Sequence, residues 1–409
     1  MKQTSDRRRA LILSKGPSRW HSLLIKKLGK KYHLKIEYIQ TWTKQFGFHN
    51  FSHHISEILT SENMQICFLD LEFCFSVGLE ELAKIDPSVR LVSFSFDDIT
   101  FHEINVLQNY PVDLVLAADP VAVAKYREKR IPSELFFLEN SGEEFAPLQW
   151  HEKKCNVLFF GSLGKGGRFE KINALKATGL QIDLHDTDVN EVSYPELCRL
   201  MVQAKVILNF SDSANDGGRF SFLPFDCFRQ FKGRVIEAGL AGAICVSEYA
   251  PSIELLFPDG EVPMFEQIAE AVHILNDLLQ DDWALQQKAK KFHKIVLENY
   301  SEDVQMEKLA AQIAHLPPRG RPVPNWLPNR YVEILLQERV IRPYVVDSWS
   351  LKNSAKDFWH LLTGKNLLSF SQRALIFWLI FKVVMGKYLT KPVRLFRKMF
   401  SRRLVSSPR

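Results

Sequence analysis

The sequence predicts an α/β protein with two domains of alternating strands and helices, followed by a basic, helical carboxyl-terminal extension. Three observations carry this. Short apolar runs recur through the first 140 residues with helix-like stretches between them, as βα units around a mostly parallel sheet require. The alternation restarts at Asn156 after a polar interval. At 409 residues, 46% hydrophobic and 24% charged, the chain is long and apolar enough for two ordinary cores. The boundaries that follow are a first domain over 1–140, a linker over 141–154 and a second domain over 155–316. An extension over 317–366 packs partly back on the body, and a basic amphipathic tail spans 367–409.

In the first domain, Arg9 to Ser14 reads as a strand ending in small residues, and Lys15, Gly16 and Pro17 make the turn. Trp20 to Leu28 suits a helix. Further strands are expected at Leu34 to Ile39, Met64 to Leu69, Val89 to Phe96, Asp113 to Ala117 and Leu135 to Leu138. Ligands of such sheets bind at the carboxyl ends of the strands. The side chains expected there are Ser14, Lys15, Asp70, Glu72, Asp97, Asp98 and Asp119, with Gly16 in the same turn. An Asp between a strand and a helix is equally placed to cap the helix. His49, His53 and His54 have no carboxylate at metal-ligand spacing and read as loop and helix histidines.

The polar stretch Asn140 to Lys154 marks the boundary, and a strand then runs into Gly161-Ser162-Leu163-Gly164-Lys165-Gly166-Gly167-Arg168. Free backbone N–H groups in such a loop, or at the following helix start, can cradle a diphosphate, and Lys165 and Arg168 can add charged hydrogen bonds. The bland alternative is an exposed glycine turn. The spacing is neither a Walker A loop nor G-x-G-x-x-G. Strands are expected at Leu180 to Leu184 and Val206 to Phe210, and a helix from Tyr194 to Gln203. Asp186-Thr187-Asp188 follows a strand and invites a divalent-ion reading, but the spacing is common in acidic loops. Ser213 to Gln230 is long and irregular, which is uncommon in a compact domain without a use.

Lys232 to Glu248 organises the second domain. Ala238, Gly239, Ala241, Gly242 and Ala243 are small, and Val235, Leu240, Ile244 and Val246 suit a short helix running into a short strand. Gly242 fits the stop between them, where positive φ is needed. Glu237 falls in the helix's first turn and can accept two hydroxyls from a ribose or sugar. Amphipathic helices follow over Glu266 to Gln280, Trp283 to Glu298 and from Ser301 onward, until five prolines between Pro317 and Pro328 end the helical region.

Glu237-Ala238-Gly239-Leu240-Ala241-Gly242-Ala243-Ile244 resembles the donor-side signature E-A-x-A-x-G-x-P of glycosyltransferases with two Rossmann-like domains facing across a cleft (the GT-B type), in particular their spore-protein-like subgroup. The resemblance runs from about Asn156 to Ile313 and more weakly over the first 140 residues. It implies a nucleotide-diphosphate sugar as co-substrate, with no tightly bound cofactor and no metal requirement. Glu237 then matches the acid that holds the donor ribose, Arg234 the basic residue ahead of it, and Gly161, Ser162, Gly164, Lys165 and Arg168 the diphosphate loop. Glu254 is a further candidate near the donor base. The first domain faces the acceptor, where Asp97, Asp98 and Asp119 are the candidates for a catalytic base. Retaining members carry a second acid eight positions before the first; Arg229 stands there. The last helix is expected to cross back onto the first domain.

The net charge of +6 belongs to the tail: from Arg373 onward there are ten Lys or Arg and no acid, which leaves residues 1–372 at about −4. A nucleic-acid surface on the body is therefore not expected. The six cysteines lack a CxxC pair and read as small buried hydrophobes of a reducing compartment. No signal-peptide pattern opens the chain. Ala374 to Met385 is apolar but too short for a bilayer, about 18 Å as a helix against about 30 Å. With the cations after it, it suits a helix lying on an anionic membrane surface. The combined expectation is a glycosyltransferase peripherally attached to the cytoplasmic membrane face and acting on a glycan or lipid-linked acceptor. A degenerate coat-associated protein and a sugar-nucleotide epimerase of the same architecture are the alternatives.

Overall fold

The computed structural model describes residues 7–70, 82–96, 98–138, 145–146, 148–164, 166–187, 189, 192–213, 228–317, 327–336, 340–341, 351–363 and 368–382. The strands of a six-stranded sheet are β1 (Arg9–Ser14), β2 (His33–Tyr38), β3 (Ile66–Asp70), β4 (Arg90–Ser95), β5 (Leu114–Ala117) and β6 (Ser133–Leu135). Their order is β2-β1-β3-β4-β5-β6, and β1, β3, β4, β5 and β6 pair in parallel. A second sheet contains β7 (Cys155–Gly161), β8 (Ile182–Asp186) and β9 (Ala204–Asn209). A small antiparallel pair, β10 (Asp212–Ser213) and β11 (Phe228–Arg229), stands apart, and β12 (Ile244–Glu248) and β13 (Met264–Phe265) complete the second sheet. Its order is β13-β12-β9-β7-β8, all parallel. The result is two Rossmann-like domains.

The helices are α1 (Arg19–Gly29), α2 (Ile39–Phe46), α3 (Phe51–Ser61), α4 (Asp98–Gln108), α5 (Pro120–Glu128), α6 (Arg168–Ala177) and α7 (Tyr194–Gln203). After them come α8 (Arg234–Leu240), α9 (Pro251–Leu256), α10 (Ile268–Gln280), α11 (Asp282–Tyr300), α12 (Glu302–His315), α13 (Asn329–Leu336) and α14 (Leu351–Thr363). By packing, the chain forms two compact units. The first comprises Met1–Glu37, Asn63–Glu72 and Pro87–Arg319, and so holds both sheets. The second comprises Tyr38–Glu62, Phe73–Asp86 and Gly320–Arg409.

Within the first unit, β7, β9 and β12 read as nearly unbroken apolar runs because helices cover both faces of the sheet. Val157, Phe159, Val206, Ile207, Leu208, Cys245 and Val246 are fully buried. Cys67, Cys155, Cys198 and Cys245 are buried free thiols, in keeping with their reading as core residues. Lys153 is one of several polar residues buried in this core. Its ammonium donates to the carbonyls of Val202 (2.8 Å), Ala204 (2.9 Å) and Ala241 (3.1 Å), which ties the ends of α7 and α8 together.

α12 does what the resemblance implies. Met306, Leu309 and Ile313 enter the core of the first sheet beside Ile12, Phe68 and Val92. Gln305 Oε1 accepts from Phe137 N at 2.6 Å, and Lys30 pairs with Glu302 at 3.1 Å. Ser301 occupies the cap position of this helix but makes no side-chain cap bond.

Within the second unit, Asp357 of α14 accepts from the backbone N–H of His49 at 3.0 Å and meets His49 Nδ1 at 2.8 Å. A helix over 370–382 buries Gln372 and Ile376, while Phe377, Trp378 and Phe381 are exposed. Among the described residues no helix is long and apolar enough to cross a membrane. The tail beyond 382 lies outside the described residues.

The small residues of the Lys232–Glu248 stretch let α8 sit close to α11. A Cβ on Gly239 would come within 2.4 Å of Val296 Cγ2 and 3.2 Å of Phe292 Cε1. Both neighbours are fully buried and have nowhere to go. Gly239→Ala is therefore expected to destabilise by about 1–3 kcal/mol through overpacking, despite alanine's better helix propensity. Thermal melting of the variant checks this; an unchanged or raised Tm would show that α8 and α11 can separate freely.

Candidate functional site

The carboxyl end of β7 gathers most of the residues that the sequence marks for a diphosphate. Gly161 ends the strand with φ 139°, and Gly166 and Gly167 follow at 58° and 65°. Such angles keep side chains out and leave backbone free to approach a ligand. α6 then starts at Arg168, with Gly167 as a cap that offers no side-chain acceptor to the first N–H groups.

Two guanidiniums converge on Gly161. A Cβ placed there would lie 2.8 Å from Arg234 Nη2 and 3.7 Å from Arg168 Nη1. Arg168 donates to the carbonyls of Ser162 (3.1 Å) and Asp212 (3.3 Å). Arg234 donates to Asn209 Oδ1 at 3.1 Å and lies over the Phe160 ring at 4.3 Å. Burial, then the neighbouring Arg168 cation, lower the Arg234 pKa to about 10, with Glu237 pulling the other way. The group stays a cation at neutral pH, but in a setting that favours an arriving anion.

Glu237 is buried in the first turn of α8, on the same helix as Arg234. Leu163 N donates to Asp186 Oδ1 at 3.4 Å, so this acid steadies the glycine loop. Among the described residues no group of three His, Cys, Asp or Glu could hold a metal ion. Glu254 is exposed on α9 and accepts from the Tyr249 hydroxyl at 3.1 Å. Lys165, Asp97, Glu72 and Asp188 lie outside the described residues.

Glu248 proves as central as Glu237, although the sequence shows it only as the acid closing the signature stretch. It is buried, meets Lys171 at 2.6 Å, and accepts from the N–H groups of Ser211 (3.1 Å) and Asp212 (3.3 Å). Lys171 also meets Asp212 Oδ2 at 2.7 Å. Burial lowers the Lys171 pKa, but the bonds to Asp212 and Glu248 outweigh it and the net shift is upward. Arg229 lies across the β10–β11 pair, its Nε 3.9 Å from Asp212 Oδ1.

On the first sheet the candidate acids have different surroundings. Asp98 is buried and bonds with Ser95, His102, Tyr126 and Asn105. Asp119 is buried too; it caps α5 through Val121 N (2.8 Å) and accepts from Phe231 N (2.9 Å) and the Ser252 hydroxyl (2.6 Å). Burial raises the Asp119 pKa, against those hydrogen bonds. At the ends of β1 and β3, Asp70 Oδ2 accepts from the Ser14 hydroxyl at 2.8 Å and meets His21 Nδ1 at 3.0 Å. The sequence reading names Ser14 and Asp70 but misses His21, which sits on the inner face of α1. The strand-end register Ser14↔Asp70 is the signal that brings the three together.

Residues 148–311 match the glycosyl transferase-like family. The match covers the second domain, and the two Rossmann-like domains together have a fold of the GT-B type. Among solved structures, sucrose-phosphate synthase from Thermosynechococcus elongatus is similar over 75% of this chain and 99% of its own, at 10% identity and a TM-score of 0.51. Anabaena HepE in complex with UDP-glucose is similar over 75% of this chain and 100% of its own, at 13% identity and a TM-score of 0.51. At such identities the likeness is one of fold. A comparison with curated protein sequences gives no match.

The arginine pair yields a test. Arg234→Met should weaken binding of pyrophosphate by at least tenfold, since a charged hydrogen bond is worth about 1.5–3 kcal/mol. Folding should suffer little, because the variant also removes a buried cation beside Arg168. Calorimetry and thermal melting measure the two effects. Intact binding would show that Arg234 is a structural cation.

Proposed function

We propose that the protein transfers a sugar from a nucleotide-diphosphate sugar to a hydroxyl of a glycan or lipid-linked acceptor at the cytoplasmic membrane face. The observation that carries this is the convergence of Arg168 and Arg234 on Gly161 at the end of β7. Negative charge develops on the leaving diphosphate during transfer, and cations already in place there stabilise it without reorganisation. Glu237 would hold the donor ribose, and Gly161, Ser162, Gly164 and Lys165 would line the diphosphate. Glu254 would lie at the outer edge of the donor site. A UDP-sugar is the first donor to try, as HepE is known with UDP-glucose. The arginines take the role that a metal would fill elsewhere, so transfer should survive EDTA.

For the acceptor we propose His21 as general base, oriented by Asp70 through Nδ1. Asp98 and Asp119 would serve the fold, since each already has several hydrogen-bond partners. The His21 side chain is only 1% exposed, so the acceptor must open the strand ends slightly to reach it. Arg229 in place of the second acid, together with this base, favours inversion at the anomeric carbon.

Two measurements test the reading. Calorimetry with UDP-, GDP-, ADP- and CMP-sugars should give saturable binding with one of them, weakened by Glu237→Gln without a matching loss of stability. Flat titrations across the panel would favour a degenerate, coat-associated protein of this fold. With a donor in hand, His21→Gln should lower kcat by about 10²–10⁴-fold while donor binding persists. A parallel loss of donor binding and folding would make His21 a packing residue.

A further inference from the structure

The second unit carries a surface to which the proposed sugar transfer assigns no residue. α14 buries Ser354, Asp357 and Leu361, and Asp357 fixes it to His49 while Asn353 donates to the Gln45 carbonyl at 2.9 Å. Its opposite face shows Lys352, Lys356 and Trp359 to solvent, and Trp359 is 65% exposed. These three, with His49, His360 and Thr363, bound an open groove of about 540 Å³. Two ammonium groups, two imidazoles and an indole line it, and among the described residues no carboxylate does. Among the described residues neither lysine forms an ion pair.

The next helix adds a second feature. Arg373 donates to the carbonyls of Leu362 and Leu368, which joins helix 370–382 to the end of α14. That helix exposes Phe377, Trp378 and Phe381, with Lys382 over the Trp378 ring at 5.2 Å. Arg373, which the sequence counts among the tail cations, is thus used inside the unit. Eight further Lys or Arg and no acid follow from residue 383 to the end.

We propose that the α14 groove binds the anionic phosphate headgroup of a membrane lipid, with Lys352 and Lys356 on the phosphate and Trp359 beside it in the interfacial layer. The inference rests on the membrane-face part of the proposed function and extends it from the tail to a defined site. Charge favours an anion, and the exposed indole and aromatic row call for an apolar phase that a free phosphate would not supply. Single-stranded nucleic acid also stacks on aromatics beside lysines, but Phe377 and Phe381 next to buried Ile376 form an aliphatic-aromatic surface suited to acyl chains.

The test is flotation of the full-length protein with phosphatidylcholine vesicles and with vesicles that also contain phosphatidylglycerol. Three forms are compared: wild type, the triple groove variant Lys352→Glu/Lys356→Glu/Trp359→Ala, and the triple row variant Phe377→Ser/Trp378→Ser/Phe381→Ser. The groove variant should lose at least tenfold in partitioning to anionic vesicles, with its melting curve and donor binding unchanged. Inorganic phosphate at millimolar concentration should not displace the wild type. Displacement by phosphate would make the groove a soluble-anion site and overturn the lipid assignment. A groove variant that floats like wild type while the row variant does not would sink the groove and leave the membrane reading standing. Failure of wild type to float on either vesicle would remove both. Loss of single-stranded DNA binding in the groove variant, without any flotation, would reassign the surface to nucleic acid.

Discussion

Two like charges held against one glycine set the terms for the second domain. Arg168 and Arg234 repel each other, and the fold keeps them close by giving both neutral acceptors and Arg234 an aromatic surface as well. The nearby acids are directed elsewhere. Asp212 offers its carbonyl to Arg168 but its carboxylate to Lys171, and Glu248 also takes Lys171. Lys171 thus neutralises the local carboxylates, and its raised pKa keeps it charged to do so. This sorting leaves guanidinium charge at Gly161 that Glu237 offsets in part. The unfavourable arrangement is tolerated because the surrounding sheet core is deeply buried and supplies stability independently of it.

Much of this architecture was legible because its causes are local. Strand and helix edges fall within a residue or two of the apolar runs, since buried parallel strands and their covering helices leave strong patterns. The positive φ at Gly242 and the glycine loop after β7 were readable because glycine alone tolerates such angles at no steric cost. Arg234 and Glu237 were marked by the resemblance of their short helix to a donor-side signature. His21 was not, because its partner Asp70 lies 49 residues away and only the β1–β3 register makes them neighbours. Glu248 was visible as an acid, but its role depends on Ser211, Asp212 and Lys171, which belong to two other segments.

The second unit shows the same limit at larger scale. Its parts come from 38–62, 73–86 and the carboxyl-terminal 90 residues. No periodicity spans such gaps. The Asp357–His49 contact joins residues 308 apart, and nothing in either segment announces the other. Apolar residues in helix 370–382 looked like membrane-seeking area as a set. Packing divides them: Ile376 faces inward and Phe377, Trp378 and Phe381 face solvent. Composition gave the total, and only tertiary structure gave the partition.

The three acids at the ends of the first sheet show why a sequence pattern alone does not assign a base. Asp98 and Asp119 stand after a strand and at the start of a helix, where a carboxylate meets free N–H groups. Asp119 uses that position fully, capping α5 and receiving Phe231 and Ser252 from the second domain. It thereby couples the two sheets through one buried side chain whose partners are all hydrogen-bond donors. Asp98 draws Ser95, Asn105, His102 and Tyr126 around itself and raises the Tyr126 pKa after burial has done so. Asp70 differs in ending its strand without a helix cap to make among the described contacts. Its partners are a hydroxyl and an imidazole, and 19% of its side chain remains exposed. A carboxylate committed to backbone N–H groups can only hold structure. One that meets an imidazole can also orient a proton acceptor; Asp98 with His102 and Asp70 with His21 both do, and exposure distinguishes them, 19% for the Asp70 side chain against 0% for that of Asp98.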